Sequence, residues 1–117
     1  MFKVIVAGGR DFSDYDLLCT TLHHLLSQKT EIEIVSGMAR GADSMALRYS
    51  EENHIRVKMF PANWDRDGNS AGYKRNIEMA GYADACVCFW DGKSSGTADM
   101  IRVARIYKLQ VMVIKYR

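Results

Sequence analysis

The 117-residue sequence has few cysteines, and they form no recognisable metal or disulfide pattern. Cys19, Cys86 and Cys88 are odd in number and include no CxxC pair, which excludes a disulfide framework and argues against a zinc site. We interpret Cys86 and Cys88 as core residues of one buried strand, and we expect them to face opposite sides of the sheet. The sequence predicts no metal site and no bound cofactor.

Long apolar runs and an excess of one charge are also missing. No stretch approaches the roughly 18 apolar residues needed to span a bilayer, and the short apolar N-terminus runs into a glycine turn rather than a signal-peptide cleavage site. We therefore expect a cytosolic protein without membrane association. The net charge of +2 is spread over interspersed acids and bases, whereas a nucleic-acid binder usually carries a basic stripe. A small anionic ligand needs only one or two arginines and is not excluded.

Proline occurs once, at Pro61, where it opens a long polar segment over residues 61–71. Long loops in small domains are often lids or binding loops. Trp64 lies in this segment, and its indole ring is a candidate for stacking on the nucleobase of a ligand.

The rest of the sequence alternates between predicted strands and helices. Strands are predicted over Lys3–Ala7, Glu33–Ser36, Val57–Phe60, Ala85–Phe89 and Gln110–Lys115. Helices are predicted over Asp14–Ser27 (with Ser13 as N-cap), Ala42–Asn53, Gly72–Met79 and Thr97–Tyr107. The Val/Ile-rich strands are typical of a parallel sheet covered on both faces, and a βαβα order indicates a doubly wound α/β fold. We expect one domain over residues 1–117, a three-layer sandwich with a five-stranded parallel sheet in the order 3-2-1-4-5.

Three glycine-containing turns each follow a predicted strand and precede a predicted helix. They lie at residues 8–12, 36–43 and 90–97. Glycine lets the backbone approach a ligand closely, and the helix that follows offers unpaired N–H groups and a positive dipole end, which together bind phosphate. In the expected strand order, the first and third turns border the switch point where such sheets bind ligands. The pattern therefore predicts a phosphate-bearing small-molecule ligand.

Four blocks, GGRDF, SGMARGAD, NWDRDGNSAGYKRNIEMA and FWDGKSSGT, resemble the YspA-like branch of the SLOG superfamily. They occur in the family's order and extend over nearly the whole chain. The superfamily is similar in fold to the cytokinin-activating phosphoribohydrolases and to DNA-processing protein A. The resemblance implies a Rossmann-like domain that binds a nucleotide or a nucleotide-derived ligand, and for this branch it implies no settled reaction. Because the related phosphoribohydrolases form dimers, we expect a homodimer or a higher homo-oligomer.

The comparison with the phosphoribohydrolases suggests individual roles. Arg75 and Met79 match an arginine and a methionine four residues apart in those enzymes, and Gly96-Thr97 matches the GT of their PGGxGTxxE loop. Met100 occupies the position of the catalytic glutamate, which puts their N-glycosidic hydrolysis in doubt. If the protein is an enzyme, the resemblance makes Arg75 catalytic, and Asp91 is the best-placed carboxylate near the switch point.

The predicted ligand-binding residues come from the three turns and the segment before the fourth strand. They are Gly8, Gly9, Arg10, Asp11, Phe12, Ser36, Gly37, Arg40, Gly41, Asp43, Trp64, Arg75, Asn76, Trp90, Asp91, Gly92, Ser94, Ser95, Gly96 and Thr97.

Several of these residues have a structural alternative. Arg10 can hold a phosphate in a bidentate way or pair with a neighbouring aspartate. Asp91 can contact a ligand or form an Asx-turn. Phe12 and Trp90 can cover a base or fill the core.

Three functions are consistent with the sequence. The first is a sensor, carrier or sequestering module for a nucleotide or an ADP-ribose-like molecule. The second is a nucleotide phosphoribohydrolase or related N-glycosidase, which needs a carboxylate such as Asp91, Asp99 or Asp11. The third is a single-stranded DNA-binding protein, which the near-neutral charge disfavours.

Overall fold

Five Val/Ile-rich segments pair into one parallel sheet in a computed structural model that describes residues 1–117. The strands are β1 Phe2–Gly8, β2 Ile32–Ser36, β3 Arg56–Met59, β4 Ala85–Trp90 and β5 Gln110–Lys115. The helices are α1 Tyr15–Leu26, α2 Ala42–Glu52, α3 Trp64–Asp67, α4 Ala71–Tyr82 and α5 Ser95–Ile106, with a 3-10 turn over Gly68–Ser70. The order β3-β2-β1-β4-β5 confirms the predicted topology.

Apolar side chains cover both faces of the sheet, which gives the predicted three-layer sandwich. Val4 and Val6 of β1 pack with the leucines of α1 and the inner face of α2 in one core. Ile5 points to the other face and packs with α4 and α5 in a second core. Because residues alternate between faces along a strand, a continuous apolar run in β1 supplies both cores.

Two local predictions were wrong. Asp14, rather than Ser13, caps α1, because its carboxylate accepts a hydrogen bond of 3.0 Å from the Leu17 N–H. The segment over residues 61–71 is not an irregular loop: α3 begins after Asn63, whose side chain accepts a hydrogen bond from the Arg66 N–H at 3.0 Å. A capping side chain inside a polar segment can therefore start a short helix that hydrophobic periodicity does not reveal.

Cys86 and Cys88 face the same side of β4, which corrects the expectation that they face opposite sides. Residues two apart in a strand share a face, and their Sγ atoms are 3.4 Å apart in the second core. Both side chains are fully buried, as expected. None of the helices combines the length and the apolar character required to cross a membrane.

Candidate functional site

A cleft of about 480 Å³ opens at the carboxyl ends of β1 and β4. These two strands border the point where the chain switches from one face of the sheet to the other, because α2 packs in the first core and α5 in the second. This is the usual ligand position in a doubly wound sheet. The lining residues are Ala7, Gly8, Gly9, Arg10, Asp11, Ala39, Asp43, Trp64, Asn69, Gly72, Tyr73, Arg75, Asn76, Met79, Asp91, Ser94, Ser95, Gly96, Thr97 and Met100.

Gly41 brings the first two glycine turns into contact. Its φ of 76° lies in the region that favours glycine. A Cβ at this position would overlap the carbonyl oxygen of Gly9, and the adjacent Ala42 N–H donates to that same oxygen at 3.4 Å. The start of α2 is therefore packed directly against the turn that follows β1.

Arg75 projects from α4 to the second glycine turn. Its Nη1 donates a hydrogen bond of 2.7 Å to the carbonyl oxygen of Gly37. A Cβ on Gly37 would lie only 2.8 Å from that nitrogen, so the glycine makes room for the guanidinium. Burial lowers the pKa of Arg75, an effect that the charge of Asp43 opposes and that of Arg10 reinforces. The two arginines are thus close enough to interact electrostatically.

Arg10 is exposed, lines the cleft and takes part in no salt bridge. The alternative in which it pairs with Asp11 or Asp14 is not observed. The Asp11 carboxylate instead accepts a hydrogen bond of 2.7 Å from the Tyr116 hydroxyl and pairs with Arg117 at 2.6 Å. The Arg10 guanidinium is consequently available to an anion.

Asp43, in the first turn of α2, is the buried carboxylate of the cleft. Only 4% of the residue is exposed, and its Oδ2 accepts a hydrogen bond of 3.2 Å from the Ala39 N–H. Burial raises the pKa of Asp43 to about 6, although hydrogen bonds from the backbone and the nearby charge of Arg75 act in the opposite direction. A single carboxylate offsets only part of the positive charge of the two arginines.

The first turn of α5 also lines the cleft, through Ser95, Gly96 and Thr97. Ser94, its N-cap, makes no side-chain capping bond; its hydroxyl lies 3.4 Å from that of Thr97. Uncapped N–H groups and the positive dipole end favour a bound anion here.

Asp91 forms the Asx-turn that was one of its two predicted roles. Its Oδ1 accepts hydrogen bonds of 2.8 Å from the N–H groups of Lys93 and Ser94. These bonds lower the pKa of Asp91, with the bond from Ser94 the largest cause. One oxygen therefore holds the loop before α5, and the carboxylate is a weak base.

Asn76 and two methionines form the inner wall. The Asn76 amide donates to Asp99 at 3.1 Å and to the Gly96 carbonyl oxygen at 3.4 Å, which joins α4 to α5. Met79 and Met100 are almost fully buried and give the cleft an apolar floor. Met100 places a thioether, rather than a carboxylate, on this floor.

Some predicted ligand-binding residues lie outside the cleft lining. Phe12 is in the first core, where its ring stacks on Phe89 at a centroid distance of 4.7 Å. The Trp90 indole N–H donates to the Ser94 carbonyl oxygen at 3.1 Å and so stabilises the loop between β4 and α5. The other predicted residues outside the lining are Ser36, Gly37, Arg40, Gly41 and Gly92.

Sequence reasoning missed part of the lining, namely Ala7, Ala39, Asn69, Gly72, Tyr73, Met79 and Met100. Helical spacing could have identified three of them. Gly72 and Met79 lie three residues before and four residues after Arg75, Tyr73 lies three residues before Asn76, and residues at such intervals share one helix face. Asn69 has no such signal, because it lies in the 3-10 turn before α4, which the sequence pattern does not predict.

Sequence comparison with known proteins identifies the family of this chain. The sequence pattern of the "YspA, cpYpsA-related SLOG family" (YAcAr) matches residues 2–66. The Gene 61 protein of Mycobacterium phage D29 is 35% identical in an alignment that covers 99% of this chain and 97% of that protein. The chain belongs to the YspA, cpYpsA-related SLOG family.

A solved structure has a similar fold over the chain beyond residue 66 as well. The X-ray structure of DNA processing protein A (DprA) from Streptococcus pneumoniae superposes with a TM-score of 0.78 and 18% sequence identity. The match covers 99% of this SLOG chain and 50% of the DprA chain. At this identity the likeness is one of fold, and the predicted Rossmann-like α/β architecture is confirmed.

Proposed function

We propose that the protein binds a phosphate-bearing nucleotide or nucleotide-derived small molecule, such as an ADP-ribose-like compound, in the cleft between β1 and β4. The proposal rests on the two arginines of the cleft. Arg10 is free of salt bridges, Arg75 is oriented by the Gly37 carbonyl group, and Asp43 is the carboxylate that acts on Arg75. Two guanidinium groups and one buried carboxylate leave an excess of positive charge, which favours an anionic ligand.

The first turn of α5 adds a second anion-binding element. Its uncapped N–H groups lie in the same cleft as the arginines, and phosphate is the usual ligand of this arrangement. The cleft volume of about 480 Å³ falls in the range of small-molecule sites. Trp64 at the rim favours a ligand that carries an aromatic base over a free phosphate ion.

The contacts that the carboxylates make within the protein favour ligand binding over hydrolysis. Of the acids considered for an N-glycosidase, Asp11 is held by Tyr116 and Arg117, and Asp91 by the Asx-turn. Asp99 does not line the cleft and contacts Asn76 and Arg102. With Met100 on the floor, these three acids lack the setting of a general base. Asp43, the remaining carboxylate beside Arg75, accepts a hydrogen bond from the Ala39 N–H and interacts with the charge of Arg75. We therefore favour a sensor, carrier or sequestering module.

The test is a thermal-shift panel of AMP, ADP, ATP, the guanine equivalents, NAD, ADP-ribose, cyclic nucleotides and inorganic phosphate. A ligand at about 100 times its Kd should add roughly 2.7 kcal/mol, which is several degrees for a domain of this size. Arg10→Ala should remove most of this shift. Arg56→Ala is the matched control, because Arg56 is also exposed, takes part in no salt bridge and lies outside the cleft.

The outcomes separate the three functions. Absence of a shift with every compound would contradict the proposal. A shift accompanied by release of free base or ribose 5-phosphate would favour the hydrolase. Binding of single-stranded DNA that persists at moderate salt would favour the nucleic-acid role, because non-specific binding to the backbone weakens steeply as salt rises.

A further inference from the structure

Two aromatic side chains at the rim of the cleft have no partner within the protein. Trp64 is 55% exposed and Tyr73 is 44% exposed, and both line the cleft. Neither side chain takes part in a hydrogen bond, an aromatic pair or a cation–π contact, whereas the half-buried Tyr15 donates a hydrogen bond to Glu52 and lies under the guanidinium of Arg48. Large apolar groups left exposed together at a cleft mark a binding surface.

Gly72 lies between this aromatic rim and the anion-binding arginine. A Cβ at position 72 would be 3.8 Å from Cη2 of Trp64 and 3.6 Å from Nη2 of Arg75. The indole and the guanidinium therefore flank a stretch of backbone that carries no side chain. A flat ring can rest on this surface while the remainder of the same ligand reaches the arginine.

Asn69 adds a polar group to the same wall. It belongs to the 3-10 turn immediately before α4, lines the cleft and is exposed. Its side-chain amide forms no hydrogen bond within the protein. An amide both donates and accepts hydrogen bonds, so it suits the edge of a nucleobase, which carries both kinds of group.

We propose that Trp64, Tyr73 and Asn69 form a base subsite, with the ligand's aromatic base against the two rings and its phosphate at Arg10, Arg75 and the start of α5. This inference rests on the proposed function and extends it, because it fixes the orientation of the ligand and makes the base a required part of it. Stacking on an aromatic side chain tolerates different bases, since every base has a π-face. Asn69 adds a hydrogen-bonding group for the edge of the stacked base.

Fluorescence can test the contact directly. The chain has two tryptophans, so Trp90→Phe leaves Trp64 as the single reporter, and Trp90 does not line the cleft. AMP or GMP should quench and shift the emission of Trp64 in this variant. Ribose 5-phosphate, which lacks a base, should bind without quenching it.

Affinity measurements by calorimetry give the second test, with AMP, GMP, ADP-ribose and ribose 5-phosphate as probes. Trp64→Ala and Tyr73→Ala should each weaken binding of the three base-containing probes by about tenfold or more and leave the affinity for ribose 5-phosphate unchanged. Tyr107→Ala is the matched control, because Tyr107 is 45% exposed and lies outside the cleft.

The two proposals fail in different ways. If AMP and ribose 5-phosphate bind equally well, and neither rim substitution changes their affinities, the base subsite is wrong and the anion site stands. If none of the four probes binds the unmodified protein, the proposed function is wrong and the base subsite with it. Selective loss of affinity for the base-containing probes in both rim variants supports both.

Discussion

Arg75 donates a hydrogen bond of 2.7 Å to the carbonyl oxygen of Gly37, although the two residues are 38 positions apart in the chain. The contact joins α4 to the turn after β2, and it is possible because Gly37 has no side chain in the space that the guanidinium fills. One glycine of a predicted phosphate turn thus serves the cleft indirectly, by setting the direction of an arginine.

Gly37→Ala should therefore weaken ligand binding through Arg75. The added Cβ would lie 2.8 Å from Nη1 and 2.9 Å from Cζ of Arg75, and the flexible side chain would have to move. We expect a loss of affinity of about tenfold for the phosphate-bearing ligand, comparable to one charge-assisted hydrogen bond, measured by calorimetry. Gly81→Ala is the control, because its Cβ would be in ordinary contact at 3.7 Å from Tyr107. Equal affinities in both variants would contradict this role.

Gly41→Ala should destabilise the fold strongly. The residue has a φ of 76°, and its Cβ would overlap the carbonyl oxygen of Gly9. Gly68→Ala is a matched control, because Gly68 also has a positive φ, of 57°, but no atom lies within 4 Å of its Cβ position. Backbone strain alone costs roughly 1–3 kcal/mol. Urea unfolding should show a clearly larger loss for Gly41→Ala, and equal losses would mean that the turn after β1 can move away.

The free energy of unfolding should depend on pH through Asp43. Burial raises the pKa of Asp43 from its ordinary value of 3.8 to about 6. Between these values the folded protein binds more protons than the unfolded chain, so this group lowers stability as pH rises from about 4 to 6. At roughly 1.4 kcal/mol per pKa unit, the full decrease in the free energy of unfolding is about 3 kcal/mol.

Asp43→Asn should remove that part of the pH dependence. The amide oxygen can still accept the hydrogen bond from the Ala39 N–H, and no buried charge remains. Urea unfolding at pH 4.5 and pH 7.5 should show stability falling with pH less steeply in the variant than in the unmodified protein. Parallel pH profiles would indicate that Asp43 titrates near its ordinary range.

Asp91 should matter for the loop before α5 rather than for chemistry. Asp91→Asn keeps an oxygen that can accept from the Lys93 and Ser94 N–H groups, so its melting temperature should stay close to that of the unmodified protein. Asp91→Ala removes both bonds and should lower the melting temperature by a few degrees. Hydrolysis of a nucleotide that disappears in Asp91→Asn would contradict this assignment and support the enzyme hypothesis.

Parts of the site were predictable because they depend on short stretches of chain. The turns at residues 8–12 and 90–97 follow β1 and β4, and the strand order alone brings them to one cleft. Arg75 is identified because it matches, together with Met79, an arginine and a methionine four residues apart in the phosphoribohydrolases. The sequence does not decide whether Phe12 and Trp90 face the ligand or the core, because an aromatic residue at the end of a strand or just after it is compatible with both positions.

The sequence by itself determined the parallel sheet, its order and the edge at which the cleft opens, because alternating apolar segments and short connections leave few ways to pack. Only the tertiary structure decided which of the candidate side chains face that cleft and which face the core. Phe12 turned inward because Phe89 and Tyr116 surround it, and Arg75 turned towards β2 because Gly37 leaves space there. Such orientations depend on contacts between residues far apart in the chain, and local patterns carry no information about them.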